Sequence, residues 1–310
     1  MLLLRDLREL RTGGKPVCAA LGMFDGVHLG HQHIVAGTVT AALACRGLSL
    51  VVTFDRHPAT VVAPERAPQL LQPLSARLAA LEALHPDALW LIHFDEAFSL
   101  KPGEDFIREL ACGVATLRRI GVGENFRFGH TRSGDVALLR RLSAELGFDF
   151  SSSAPIQATG EPVSSTRIRD LVRRGEFASA ALLLGRPYEL VGPVVHGDHL
   201  GRQLGFPTAN LDAAGLVVPP HGVYATRAAL DGREVPSVTN IGMRPTLREA
   251  RPSLHVETYL FDRDEDLYGK ALALRFVAKL RDEQRFGSLE ELRTQIQRDA
   301  AEARRVLSQG

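Results

Sequence analysis

Apolar residues in the first half of the chain come in short continuous runs separated by amphipathic stretches. Val17–Leu21, Leu48–Phe54, Ala88–Phe94 and Arg118–Val122 are compact, largely apolar runs and read as buried strands. Between and after them, Gly30–Cys45, Ser75–Leu84, Glu104–Ala111 and Val136–Leu146 space their apolar positions as a helix does. Strands alternating with helices predict an α/β, Rossmann-like domain: a parallel sheet with helices on both faces, its ligands at the carboxyl ends of the strands. Two further helices are expected. One opens at Ser164-Ser165-Thr166-Arg167-Ile168-Arg169, with Ser164 or Ser165 as N-cap, and the other spans Phe177–Leu184. Gly185-Arg186-Pro187 then marks a domain boundary, giving expected domains of residues 1–185 and 186–310.

Past that point the pattern changes. Short β-rich runs at Tyr188–Val195, Gly222–Leu230, Val235–Ile241, Leu254–Phe261 and Ala271–Val277 are parted by Gly, Pro and Asp clusters. They predict a small antiparallel β-barrel. A terminal helix follows over Ser288–Leu307, with Ser288 as N-cap and Glu291 completing a capping box.

Composition narrows the class. A chain of 310 residues is long for a single core, so two domains agree with the pattern. The net charge of +1 gives no strong field to draw nucleic acid or an anionic membrane, and neither is expected as a partner. Cys18, Cys45 and Cys112 are odd in number, far apart and without metal-ligand spacing, which fits a reducing compartment. The opening Met1-Leu2-Leu3-Leu4-Arg5-Asp6 meets charge too early for a signal peptide, and no apolar run reaches the roughly 18 residues of a membrane span. The expected location is cytoplasmic.

Candidate chemistry lies in two places. Gly22-Met23-Phe24-Asp25-Gly26-Val27-His28-Leu29-Gly30-His31 joins the first strand to the first helix. Gly22 and Gly26 permit a tight turn and close backbone approach to a phosphate, and a helix N-terminus favours anions. His28 and His31, three apart, would share a face of the starting helix. Such a site suits a triphosphate attacked at its α-phosphorus by another phosphate. That nucleophile is already ionised, so donors that stabilise charge are needed and a general base is not. The competing reading makes His28, His31 and His33 surface histidines or a zinc pair.

The second place is Gly201-Arg202-Gln203-Leu204-Gly205-Phe206-Pro207-Thr208-Ala209-Asn210, followed by Val256-Glu257-Thr258. No G-x-x-x-x-G-K-[ST] is present, so a P-loop is excluded. Thr208 and Asn210 would point the same way from an extended segment and offer the hard oxygen ligands that Mg²⁺ takes. A kinase acting on an alcohol needs a base, and Glu257 is a candidate. The alternatives are a barrel turn capped by Thr208 and Asn210, and an edge charge or salt-bridge partner at Glu257. Two phosphate-handling sites on one chain suggest consecutive reactions on one substrate.

These motifs carry a resemblance. The first segment, with His28-Leu29-Gly30-His31, resembles the H-x-G-H nucleotidyltransferase superfamily, and Ser164–Arg169 resembles its S-S-T-x-I-R signature. Class I aminoacyl-tRNA synthetases share the histidine motif but need a lysine-rich loop. Lys15, Lys101, Lys270 and Lys279 are the only lysines and are scattered. Gly201–Asn210, Gly222-Val223-Tyr224-Ala225, Asn240-Ile241-Gly242, Val256-Glu257-Thr258, Asp266-Leu267-Tyr268-Gly269-Lys270 and Leu280-Arg281-Asp282-Glu283 follow one another as in riboflavin kinase domains. With Gly123-Glu124-Asn125-Phe126-Arg127-Phe128-Gly129 in the first half, nearly the whole chain resembles the bacterial bifunctional riboflavin kinase/FAD synthetases.

The resemblance implies riboflavin, FMN and ATP as substrates, FAD as product, and Mg²⁺ as cofactor. It implies an ATP site at Gly22, Phe24, Asp25, Gly26, His28, His31, Ser165, Thr166 and Arg169, and another at Gly197, Thr208 and Asn210. Thr208 and Asn210 would bind the metal and Glu257 would be the base for the ribityl hydroxyl. Phe54, Asn125 and Phe128 would shape one flavin pocket, although core packing is an equally good role for Phe54 and Phe128. Arg281 and the terminal helix would help close the other flavin site. Arg56 stands where the family usually has proline, and Asp262–Asp266 and Thr246–Leu254 also depart from its pattern. A nucleotidyltransferase for another phosphate, such as phosphopantetheine, would leave the C-terminal half without a task. A flavin-binding module with decayed catalysis is opposed by the intact His28, His31, Thr208, Asn210 and Glu257.

Overall fold

The structure is a computed structural model that describes residues 1–197, 201, 204–230, 232–244, 253–263 and 265–309. Two compact units divide the chain: Met1–Leu70 with Leu74–Ser165, and Leu71–Pro73 with Thr166–Gly310.

The first unit is built on six parallel strands, β1 (Leu2–Leu4), β2 (Val17–Leu21), β3 (Leu48–Phe54), β4 (Ala88–Ile92), β5 (Leu117–Gly123) and β6 (Asp149–Ser153), ordered β1-β4-β3-β2-β5-β6. The chain leaves β2 toward β3 on one side and reaches β5 on the other. That reversal is the switch point where such sheets bind ligands, beyond the strand carboxyl ends. β2 and β4 are buried along their whole length, as their unbroken apolar runs require. The helices are α1 (Leu29–Ala44), α2 (Ala59–Val62), α3 (Leu74–Glu82), α4 (Glu96–Ser99), α5 (Gly103–Gly113) and α6 (Val136–Leu146). One core cluster holds Trp90, Phe106, Ile107, Ile120 and Leu139, and a second holds Phe24, Val35, Leu81 and Leu89. A two-stranded ribbon, β7 (Gln157–Ala158) with β8 (Glu161–Pro162), ends the unit.

Two helices follow, α7 (Ser165–Arg174), which belongs to the second unit from Thr166 on, and α8 (Phe177–Leu184). A closed antiparallel barrel follows, in the order β10-β13-β12-β11-β14-β9: β9 (Glu189–Val195), β10 (Thr208–Leu211), β11 (Gly222–Leu230), β12 (Arg233–Arg244), β13 (Ser253–Leu260) and β14 (Ala271–Arg281). Phe177 of α8 stacks on Phe276 at 5.2 Å and meets Tyr224 edge-on, so α8, ahead of the boundary expected at 185/186, packs on the barrel. Inside the barrel, hydroxyls pair with one another. Thr226 bonds Ser237 and Thr239, and Thr239 bonds Thr258, each at 2.8 Å, which satisfies polar groups that burial would otherwise penalise. The terminal helix α9 (Leu289–Ser308) lays Ala300, Ala303 and Leu307 on the outer face, against Val223, Ala225, Val238 and Phe261.

One local expectation changes, and another narrows from two alternatives to the first of them, Ser164, which precedes the helix. The Ser288 hydroxyl accepts from the Glu291 N–H as expected, but the Glu291 carboxylate reaches the Gly287 N–H at 2.9 Å, not its own cap residue. Ser165 is the first residue of α7, and its hydroxyl is spent elsewhere, as described next. The Thr246–Leu254 departure lies mostly outside the described residues, as do Arg202 and Gln203 of the glycine-rich motif and Asp264 of the charged turn.

Candidate functional site

In the first unit, the segment between β2 and α1 is held in a conformation side chains disfavour. Phe24, Gly26 and Val27 all have positive φ, at 53°, 82° and 40°. For Phe and β-branched Val this costs energy and persists only where surroundings enforce it. The anchors are visible. Thr53 Oγ1 and Arg77 Nη1 both donate to the Met23 carbonyl at 3.2 Å, Gln32 donates to the Val27 carbonyl at 2.8 Å, and Ser165 Oγ donates to the Asp25 carbonyl at 2.9 Å. The last bond ties the second signature to the first across 140 positions.

His28 is the N-cap of α1, not a residue of its first turn. Its Nδ1 accepts from the His31 N–H at 3.4 Å, which leaves the ring proton on Nε2. The two rings stack, with centroids 3.6 Å apart and planes 17° apart. Phe24 supports them: its ring is 1% exposed and meets His31 edge-on at 5.3 Å. Phe24 therefore has no side-chain face for a nucleotide, and only its backbone is available. A Cβ at Gly22 would lie 2.9 Å from the Phe24 ring, so this glycine makes room for phenylalanine. Burial, with His28 and Arg77 nearby, pushes the His31 pKa well below its usual value and keeps the ring neutral. Asp25 is also buried, at the same turn.

Phe54 ends β3 half-buried, packed edge-on against Phe94 at 5.3 Å and tilted against Phe98. Asn125 is exposed beyond β5. Phe128 is core: it is 7% exposed, and Cβ atoms built at Gly103 and Gly134 would strike its ring. Its stacked neighbour Phe126, at 5.2 Å, is the more exposed of the two. Arg169 sits buried on α7, and Thr166 precedes it on the same helix. At the departure from the family loop, Arg56 pairs with Asp55 at 3.3 Å.

In the second unit, the registers align Asn210 with Glu257, Glu257 with Asn240, Asn240 with Val223 and Val223 with Arg281. Directly opposed residues share a face. This row lies on the outer face that α9 partly covers. Thr208 and Asn210 share that face on β10, while Ala209 and Leu211 are buried, so the extended reading stands and the turn-cap alternative falls. The barrel is closed, so Glu257 is no edge charge.

A cavity of about 230 Å³ is lined by Thr208, Asn240, Glu257, Tyr259, Arg281 and Phe286, among others. A second, of about 380 Å³, is lined by Thr208, Pro207, Arg263, Asp266, Leu267 and Tyr268. Thr208 stands between them. Beside it, the Asn210 Oδ1 is buried with no hydrogen-bond partner among the described residues. Gly197 and Gly201 cradle these two residues, since a Cβ at Gly197 would lie 2.2 Å from the Asn210 amide and one at Gly201 3.0 Å from Thr208 Oγ1. A buried oxygen without a donor, next to a hydroxyl, is the donor set a hard cation needs.

Two comparisons agree with this geometry. The family model for riboflavin kinase matches residues 184–307, and that for FAD synthetase matches residues 12–167. Bifunctional riboflavin kinase/FMN adenylyltransferases are similar along almost the full chain: 37% identity for that of Escherichia coli K12, over 98% of this chain and 97% of the relative. The Bacillus subtilis protein is 35% identical over 93% and 92%. The chain belongs to the bifunctional riboflavin kinase/FMN adenylyltransferase family. It is an enzyme with both activities. A crystal structure of a Streptococcus pneumoniae protein, described as a macrolide-efflux protein, superposes with a TM-score of 0.80 at 25% identity, covering 98% of each chain. Among the described residues, no helix is long and apolar enough to cross a membrane.

Within this flavin-processing enzyme, three residues went unseen in the sequence. Arg77 is one of the largest fully buried side chains, and it also donates to the Phe54 carbonyl. Asp299 of α9 grips Arg281. Phe126 offers the aromatic face expected of Phe128. A signal existed for Arg77: Leu74, Arg77, Leu78 and Leu81 fall on one helical stripe, and a charge there is out of place.

Proposed function

We propose that riboflavin and ATP give FMN and ADP at the cavity beneath α9, and that FMN and ATP give FAD and pyrophosphate at the β2–α1 turn. The functional boundary in this reading is that of the two motifs, residues 1–185 for adenylyl transfer and 186–310 for phosphorylation.

The observation that carries the kinase assignment is Thr208 standing between two cavities, with Glu257 in one of them. Flavin occupies the cavity containing Glu257, and ATP the one lined by Leu267 and Tyr268. Glu257 takes the proton of the ribityl 5′-hydroxyl as its oxygen attacks the γ-phosphorus and ADP leaves. Thr208 and the unpartnered Asn210 Oδ1 would hold Mg²⁺. Bound there, the ion supplies charge neutralisation for the polyphosphate. Gly197 takes its place in the ATP site by leaving room for the Asn210 amide. Arg281, fixed by Asp299, borders the flavin.

At the other site, the FMN phosphate oxygen attacks the α-phosphorus of ATP and the bond to the β-phosphate breaks. No proton needs removing. The His28 Nε2–H and the neutral His31 stabilise charge on the α-phosphoryl oxygens, with the α1 N-terminus adding its dipole. Gly22, Phe24, Asp25 and Gly26 shape the ATP turn through backbone, and Ser165, Thr166 and Arg169 contact the distal phosphates. Phe54, Phe126 and Asn125 border the isoalloxazine ring, with Phe128 as their support.

The test is a time course of riboflavin, ATP and Mg²⁺ with the flavins separated by chromatography. FMN followed by FAD is expected. His28→Ala should stop at FMN, and Glu257→Ala should convert only supplied FMN. Loss of both activities in both folded variants would refute the division of labour.

A further inference from the structure

Arg77 is 2% exposed on α3, yet it spends its guanidinium on two backbone carbonyls. Nη1 donates to the Met23 carbonyl at 3.2 Å and also lies 3.4 Å from the Met23 sulfur, and Nη2 donates to the Phe54 carbonyl. Met23 belongs to the strained turn after β2. Phe54 is the last residue of β3. One planar cation therefore ties together the carboxyl ends of two neighbouring strands, those that lead to the phosphate turn and to the aromatic wall. Burying an arginine is costly, and structure alone seldom requires it, since an apolar residue would fill the same stripe of α3. The fork geometry explains the choice, because it can hold two carbonyls at a fixed separation as lysine cannot.

We infer that Arg77 is a positioning residue for adenylyl transfer, fixing the distance and angle between the ATP turn and the flavin-bearing end of β3. The inference rests on the reading above that places ATP at the β2–α1 turn and FMN beside Phe54. Arg77 touches neither substrate in this account. It acts through the Met23 carbonyl, which steadies Phe24 and hence the His31 ring that Phe24 supports. The charged and titratable groups around it are Asp25 of the turn, Asp55 after β3, and His28 and His31 at the start of α1. Its positive charge also helps hold His31 neutral.

The kinase in the same chain supplies an internal control. In Arg77→Met, the kcat for converting supplied FMN to FAD should fall about a hundredfold, the scale of a misplacement of roughly 1 Å between reacting groups. Riboflavin phosphorylation in the same preparation should be unchanged. The acid limb of the pH–rate profile for FAD formation should move to higher pH, since His31 then protonates more easily. Arg77→Lys keeps the charge, so it should leave that limb in place and lose about tenfold in kcat, having lost the fork. Should Arg77→Met fail to fold, Arg77→Lys carries the test, and full activity in it overturns the proposal. Wild-type kcat in Arg77→Met also overturns it, as does a lowered kcat with no movement of the acid limb. If His28→Ala still makes FAD, the site reading itself has failed. If His28→Ala is dead and Arg77→Met is not, only the present inference has.

Discussion

Asp299 of α9 holds the Arg281 guanidinium of β14 with both oxygens, Nε to Oδ1 at 2.9 Å and Nη2 to Oδ2 at 2.7 Å, and Gln295 donates to the same Oδ1 at 2.8 Å. Both partners are largely buried, and both line the cavity that contains Glu257. The terminal helix is thus fastened to the barrel at the cavity that contains Glu257 and not only through its alanine face. Deleting one partner of a buried pair costs about 3–5 kcal/mol, and water reaching Arg281 moves this pair toward the low end. Asp299→Ala should raise the KM for riboflavin about tenfold, or roughly 1.4 kcal/mol. FMN adenylylation should not change. Steady-state kinetics of the two half-reactions check this, and an unchanged KM for riboflavin would show that Arg281 does not border the flavin.

His31 ties stability to pH. Its pKa is well below the usual value in the folded protein, because the ring is buried beside His28 and Arg77. The unfolded chain binds a proton near pH 6.5 where the folded one does not, so the unfolded state is stabilised relative to the folded one as pH falls below that value. Stability from this group is complete above about 6.5 and is lost progressively toward the folded pKa. Thermal melts of the wild type should therefore decline below that pH. His31→Gln should remove that part of the decline while abolishing FAD formation. An equal decline in the variant would assign the acid sensitivity elsewhere.

Much of this was legible in advance, for reasons that differ by element. β2, β3, β11 and α6 begin and end where their aliphatic runs or helical spacing do. β1 and β6 were not visible. They are the two edges of the sheet, and β1 exposes two of its three residues while β6 reads Asp-Phe-Ser-Ser-Ser, so neither needs an apolar run. The sites behaved likewise. His28, His31, Thr208, Asn210 and Glu257 sit in motifs, whereas Arg77 and Asp299 look like solvated charges on amphipathic helices until tertiary packing buries them. Phe126 and Phe128 differ by two positions in one loop, and only packing against Gly103 and Gly134 decides which is core.

Glu257 opposes Asn210 on one side and Asn240 on the other, within a closed barrel. Glu257→Gln keeps the size and removes the proton acceptor. The kcat for riboflavin phosphorylation should fall by about 10²–10⁴-fold, the range for a positioned general base. The KM for riboflavin should hardly move, because shape and cavity are kept. Supplied FMN should still become FAD at the wild-type rate. A Gln variant with most of its kinase activity would mean that the ribityl proton goes elsewhere.

Gly197 offers a test of the proposal that Thr208 and Asn210 hold the metal, one that leaves both residues chemically intact. A Cβ there would lie 2.2 Å from Asn210 Nδ2, 2.5 Å from Cγ and 2.7 Å from Oδ1, contacts that side chains do not make. The Gly197 backbone is not left-handed, so alanine meets no strain of its own and acts only by displacing the Asn210 amide. The displaced Oδ1 loses its place beside Thr208. Gly197→Ala should therefore raise the Mg²⁺ concentration for half-maximal riboflavin phosphorylation, and the KM for ATP with it, by about tenfold, as expected when a ligand to a hard cation is misplaced. Higher Mg²⁺ should restore part of the rate, which a folding defect would not allow. Metal titrations of the two half-reactions side by side check this, with the FAD-forming reaction of the same variant unaffected. A wild-type metal profile for the kinase would mean that Asn210 Oδ1 is not a ligand and that its burial without a partner has another cause.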